Sequence, residues 1–186
     1  MRRMVLPLAL CFTLLGSGPP SGTTARPDWM QVLNERLALY GHRNWIVVAD
    51  SAYPAQAREG VQTIVSNADQ MEVLRFLTDR LSTATHVRPI ILIDRELKYV
   101  PESDAPGITA YRNQVNALFN NRELQSLPHE EIISKLDKTG QTFRVLIIKT
   151  NLTLPYTSVF FELDCAYWSA EAEARMRAAM SKQENR

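Results

Sequence analysis

Three short segments of the chain carry side chains suited to moving protons near neutral pH: Gly41-His42-Arg43-Asn44 with Asp50, His129 behind Pro128, and Pro155-Tyr156-Thr157-Ser158. Histidine is the side chain whose ordinary pKa lies closest to neutrality, so His42 and His129 can each give and take a proton under the same conditions. Asp50 is an acceptor for hydroxyl donors, and the phenol of Tyr156 with the Thr157 and Ser158 hydroxyls adds groups that donate as well as accept. That set fits proton exchange on a polyhydroxylated small molecule. Each residue also has an ordinary structural use. His42 behind Gly41 can bond the last carbonyls of a preceding helix, Asp50 can cap a turn, His129 can be a first-turn helix residue beside Glu130 and Glu131, and Tyr156 can be a half-buried turn residue. Asp94 and Glu96 follow an apolar run and either face the same crevice or are simply solvated. His86 reads as a solvated loop residue, and Tyr167-Trp168 as a pair that pins a C-terminal helix or stacks on a sugar.

The elements that must position these residues follow from periodicity. Trp29, Val32, Leu33, Leu37 and Tyr40 recur at three- and four-residue steps and predict a helix over Asp28 to Tyr40, with Pro27 at its start and Gly41 at its end. Trp45 to Ala49 is a short apolar, β-branched run, better as a strand buried on both faces than as a helix. Further strands are expected at Val61 to Val65, Pro89 to Ile93, Phe143 to Lys149 and Ser158 to Leu163. Helices are expected after Asn67 through Leu81, at Ile108 to Phe119, at Pro128 to Leu136 and at Trp168 to Met180. Buried strands alternating with helices give one α/β domain with a mostly parallel sheet flanked by helices, ending in an antiparallel pair of the two C-terminal strands. No internal repeat or interdomain linker interrupts it.

The chain has 186 residues, 45% hydrophobic and 22% charged, enough for one well-buried domain. Met-Arg-Arg, an apolar run from Val5 to Leu15, and a small-residue stretch to Ala25 have the layout of a secretory leader. Residues 1–25 are therefore expected to be a signal peptide and residues 26–186 the mature domain, secreted or periplasmic. The apolar run is about half the roughly 20 residues a spanning helix needs, and no later segment is long enough, so no membrane association is expected after cleavage. Leu10 ahead of Cys11 does not suit lipid attachment. Cys165 would then be alone, so neither an internal disulfide nor a cysteine-based zinc site can form. The charge stays near neutral with or without Arg2 and Arg3, and the cations are scattered, which gives no footprint for nucleic acid.

The ungapped run Leu37-Ala38-Leu39-Tyr40-Gly41-His42-Arg43-Asn44-Trp45-Ile46-Val47-Val48-Ala49-Asp50-Ser51-Ala52-Tyr53-Pro54 resembles the first motif of the D-ribose pyranase and L-fucose mutarotase family. That motif is a helix ending in Gly-His, a hydrophobic strand, an Asp eight residues after the His, and a nearby Pro. The stretch from Val145 to Phe161, with Tyr156 in a turn before a last apolar strand, is similar to the second motif, and His129 to the upstream His of the ribose branch. The resemblance spans Trp29 to Leu163. It implies a pyranase/mutarotase-like fold and a cofactor-independent isomerase of sugar ring forms acting on a monosaccharide, with neither metal nor nucleotide. His42 would be the acid–base residue, Asp50 would grip hydroxyls, His129 would assist, and Tyr156, Thr157 and Ser158 would line the pocket. A protein that binds a sugar without turning it over is the alternative. The chain departs from the family in its leader, in the segment after Trp168, and in Ser158, where an amide is usual. If His42 and Asp50 flank an extended strand, eight steps of about 3.3 Å separate them by roughly 26 Å. Unless the chain turns sharply near Arg43-Asn44, one copy cannot wrap both around one sugar, so a homo-oligomer with a site shared between subunits is expected.

Overall fold

Trp45–Ala49 and Val145–Lys149, the two most uniformly apolar short runs, lie side by side as parallel strands at the heart of a sheet, where both faces need apolar cover. This computed structural model describes residues 28–120 and 122–184, so the expected leader lies outside the described residues. In chain order the elements are α1 (Trp29–Leu39), β1 (Trp45–Ala49), β2 (Val61–Val65), α2 (Gln70–Thr83), β3 (Val87–Asp94), a 3-10 helix (Arg95–Tyr99), α3 (Ile108–Phe119), β4 (Leu124–Leu127), α4 (His129–Thr142), β5 (Val145–Lys149), β6 (Val159–Cys165) and α5 (Ala170–Glu184).

The six strands are ordered β2-β5-β1-β6-β3-β4. β2, β5 and β1 pair in parallel, as do β3 and β4, while β6 runs antiparallel between β1 and β3. The expected antiparallel pair of the C-terminal strands is therefore corrected: β5 and β6 do not pair, because β1 stands between them. The chain leaving β5 crosses β1 through residues 150–158 and returns in the opposite direction. That crossover brings Tyr156, Thr157 and Ser158 to the carboxyl ends of β1 and β3.

Helices cover both faces of the sheet. On one side Leu33 and Leu37 of α1, Leu74 and Leu77 of α2, and Val115 and Phe119 of α3 pack on Ile46, Ile91, Leu146, Ile148 and Phe161. On the other side Ile132 and Leu136 of α4 pack on Trp45, Val47, Leu92, Val145, Ile147 and Phe160. Alternation along β1 explains the division: Ile46 and Val48 point one way, Trp45, Val47 and Ala49 the other. Asp69 caps α2 by accepting from the Met71 and Glu72 amides, and Asp28 caps α1 through the Met30 amide. None of the residues described along α5 is buried, and no helix among the described residues is long and apolar enough to cross a membrane.

Candidate functional site

Five chain segments converge where β1 and β3 end and β6 begins, the kind of edge where open α/β sheets gather ligands. β1 delivers Asp50, and β3 ends on Asp94. Its 3-10 continuation supplies Glu96, the first turn of α4 supplies His129, and the crossover before β6 supplies Tyr156 and Ser158.

Asp94 organises one side of the group. It is 1% exposed, and its Oδ1 lies 3.1 Å from Nδ1 of His129. A carboxylate acceptor on Nδ1 favours the tautomer with its proton there and leaves Nε2 free for exchange. The His129 amide donates to both Glu96 oxygens at 3.1 and 3.0 Å, which fixes the start of α4. Burial pushes the Asp94 carboxyl up to about 6; the facing His129 opposes this, and the nearby Glu96 and Asp50 charges add to it. Burial likewise raises the phenol of Tyr53, which lies beside Asp94, Asp137 and Asp50. The reading of Asp94 as a solvated loop residue is corrected: it ends a strand, and its register opposite Leu127 of β4 places it inside.

Asp50 serves two purposes. Its Oδ1 accepts from the Ala52 amide at 2.9 Å, the turn-capping role, and its Oδ2 accepts at 3.4 Å from the hydroxyl of Ser158, a residue also expected to line the pocket and instead buried. Tyr156 stands edge-on to the His129 ring with centroids 5.6 Å apart and planes at 84°. Its φ of 56° is in the left-handed region, which costs a non-glycine residue about 1 kcal/mol or more and persists only where neighbours impose it.

Thr157 imposes it. This residue, expected to line the pocket, is instead fully buried: its hydroxyl donates to the Leu154 carbonyl at 2.8 Å, and its own carbonyl accepts from Gln70 and from the Tyr111 hydroxyl. Gln70 in turn accepts from the Thr150 hydroxyl at 3.0 Å. These polar groups satisfy one another inside the core and pin the crossover to α2 and α3, so Tyr156 and Ser158 are held on either side of a fixed point. Sequence reasoning missed Gln70 and Tyr111 because an apolar helical period does not reveal that a polar group is turned into the core.

His42 lies elsewhere. It is exposed in the Gly41–Asn44 turn before β1 and lines a cleft of about 510 Å³ with Arg88, Asp164, Cys165 and Trp168. The turn is sharp: Gly41 donates to Asn44 Oδ1 at 2.9 Å, Asn44 donates back to the Gly41 carbonyl at 3.2 Å, and Arg43 has φ 71°. It does not bring His42 to Asp50. The His42 cleft contains Asp164 near the end of β6, while Asp50 meets Ser158 just before its start, and six residues of strand at about 3.4 Å each amount to roughly 20 Å. The helix-carbonyl role considered for His42 belongs to His86, which is half-buried rather than solvated, with Nε2 3.1 Å from the Leu37 carbonyl oxygen. Among the described residues no group of three or more His, Cys, Asp or Glu side chains is arranged to hold a metal ion.

The fold matches solved structures. Bacillus subtilis RbsD complexed with D-ribose aligns with a TM-score of 0.51 and 20% identity, over 70% of this chain and 89% of that one. Fucose mutarotase from Streptococcus pneumoniae in complex with L-fucose aligns at 0.45 and 19%, over 74% and 91%. FucU from Bifidobacterium longum aligns at 0.48 and 13%, over 71% and 92%. No protein-family model and no curated protein matches the sequence. The single-domain α/β architecture expected from the sequence is thus the one found, and it is the fold of RbsD.

Proposed function

We propose that this protein interconverts ring forms of a monosaccharide by proton transfer, with His42 as the acid–base group of a site that two copies of the chain complete. The observation that carries this reading is the placement of the two half-sites: an open cleft holding His42 before β1, and a cluster of Asp50, His129, Tyr156 and Ser158 after it. Neither half alone brings His42 and His129 together. Facing each other across an interface, they supply a proton-transfer group on each wall, with hydroxyl-binding groups beside it. The fold shared with a protein crystallised with D-ribose, and the sequence motifs that resemble the pyranase and mutarotase family, support a sugar as the ligand. The basic and apolar start of the chain supports action after export.

The chemistry asks for little else. Ring opening of a hemiacetal takes the proton from the anomeric hydroxyl, breaks the bond from the anomeric carbon to the ring oxygen, and delivers a proton to that oxygen. Closure on the other face, or on another hydroxyl, reverses the steps. Protons move and nothing is oxidised, so no cofactor is called for. His42 exchanges one proton, His129 with Asp94 behind its Nδ1 can exchange the other, and Asp50, steadied by the buried Ser158 hydroxyl, holds the sugar hydroxyls with Tyr156.

The test is ring-form exchange of pentoses and deoxyhexoses followed by NMR. Wild-type protein accelerates exchange of at least one sugar, and His42→Ala returns it to the uncatalysed rate. Unchanged acceleration in that variant removes His42 from the mechanism. A second reading, a sugar-binding protein without turnover, draws on Ser158: its hydroxyl bonds Asp50 where the family usually presents an amide. Binding without acceleration by wild-type protein would establish it.

A further inference from the structure

The His42 cleft has a wall that the family resemblance does not provide. The motifs end at Leu163, and the chain then continues through Cys165, Tyr167 and Trp168 into α5. Trp168 lines the same cleft as His42, together with the Arg88–Asp164 pair, whose guanidinium donates through Nε and NH2 to one Asp164 oxygen at 2.9 and 2.7 Å. Trp29 and Trp45 are 8% and 2% exposed, and Trp168 is 43% exposed, with Tyr167 beside it at 78%.

The exposed indole is not loose. Its Nε1 donates to Glu173 at 2.7 Å, Glu173 is gripped by Arg177 at 2.6 Å, and the Ser169 hydroxyl accepts from the Ala172 amide at the start of α5. The Trp168 and Arg177 contacts hold the Glu173 carboxyl below its usual range, the indole donor contributing most. The ring's one polar atom is therefore satisfied by the protein itself, and what remains to the cleft is apolar surface in a fixed orientation. A sugar ring has the complementary make-up: a face of C–H bonds that packs on an aromatic plate, and an edge of hydroxyls that needs ionic and imidazole partners. The cleft offers the first in Trp168 and the second in His42, Arg88 and Asp164.

We infer that Trp168 is the platform on which the sugar ring lies in the His42 cleft, which makes the C-terminal extension a determinant of sugar specificity; this rests on the reading of the cleft as half of a sugar site. Both expectations for the aromatic pair are then met by one residue: Trp168 pins α5 through its nitrogen and presents its ring to the ligand.

The experiment titrates D-ribose, L-fucose, D-galactose and D-glucose into the full protein, reading tryptophan emission and calorimetric heat. At least one sugar produces heat and a saturable change in emission, and the emission change vanishes in Trp168→Phe. Affinity for that sugar holds within about threefold in Trp168→Phe and falls about tenfold in Trp168→Ala, the size of one lost aromatic contact, at melting temperatures equal in the two variants, which both lose the Glu173 bond. Heat without any emission change, or equal losses in the Phe and Ala variants, overturns the platform and leaves the proton-transfer reading intact. An emission change from Trp168 without accelerated ring exchange keeps the platform and removes the enzyme. No heat with any of the four sugars overturns both.

Discussion

Asp94 gives one carboxylate oxygen to His129 and keeps the other, Oδ2, buried without a hydrogen-bond partner. A lone buried acceptor costs free energy, and the cost is larger when the group is charged. This is why its pKa climbs from 3.8 to about 6, burial being the largest cause and the facing imidazole acting against it. Between those two values the folded chain keeps a proton that the unfolded chain has already released. The contribution to stability is therefore fully present below pH 3.8, declines as pH rises through the interval, and is gone above about 6, a total on the order of 3 kcal/mol. Asp94→Asn cannot ionise and still offers an oxygen to Nδ1. Its melting temperature should gain on that of the wild type as pH is raised from 4 to 7, with most of the gain between 4 and 6. Parallel melting curves for the two proteins across that range would show that the raised acidity is not linked to folding.

Among the elements, those with an unbroken period were legible in the sequence. β1, β2 and α3 have the boundaries that their apolar spacing predicts, and α1 ends one residue short of the expected Tyr40, whose backbone is already extended. β4 escaped because Leu124–Leu127 has four residues, two of them polar and exposed, and lies at the sheet edge, where no second face demands apolar cover. α4 runs six residues past the expected Leu136 because its later turns are read against Gly140, which a sequence pattern takes as a stop. The close approach there involves a distant segment: a Cβ on Gly140 would fall 3.1 Å from the Val61 side chain, and one on Gly60 would fall 2.9 Å from the Phe143 carbonyl oxygen and nearer still to that of Gly140. Such long-range approaches are invisible to local periodicity, as is the insertion of β6 between β1 and β3. The candidate site divides in the same way. His129, Asp50 and Tyr156 were recognisable by type and spacing, whereas Asp94 and the Gln70–Tyr111–Thr157 knot acquire their roles only through tertiary packing. Gly60→Ala is accordingly expected to destabilise the protein by about 1 to 3 kcal/mol, because the atoms it meets are backbone that cannot step aside. A denaturant midpoint equal to the wild type would mean that the β2 edge and the end of α4 move apart freely.

For the whole molecule, the decisive geometry is that β1 carries His42 before its first residue and Asp50 after its last, with α1, α2 and α3 packed on one face of the sheet and α4 on the other. No side-chain movement within one copy joins the two ends, so the proposed chemistry requires an assembly in which the His42 cleft of one copy meets the Asp50 and His129 cluster of another. Head-to-tail contacts of that kind join two different surfaces and close into rings when the rotation permits. They also make a genetic argument possible in vitro. His42→Ala and Asp50→Ala would each abolish ring exchange alone, since every site in either assembly lacks one group. Dissociated, mixed in equal amounts and reassembled, the two variants would generate sites that draw the intact His42 from one chain and the intact Asp50 from the other. Random mixing in a ring makes about a quarter of all interfaces complete. NMR exchange should recover to about that fraction of wild-type activity, and it should fall on dilution as the assembly comes apart. If the mixture stays inactive while sedimentation shows mixed oligomers, the two half-sites do not meet across an interface, and the division of labour along β1 serves some other purpose.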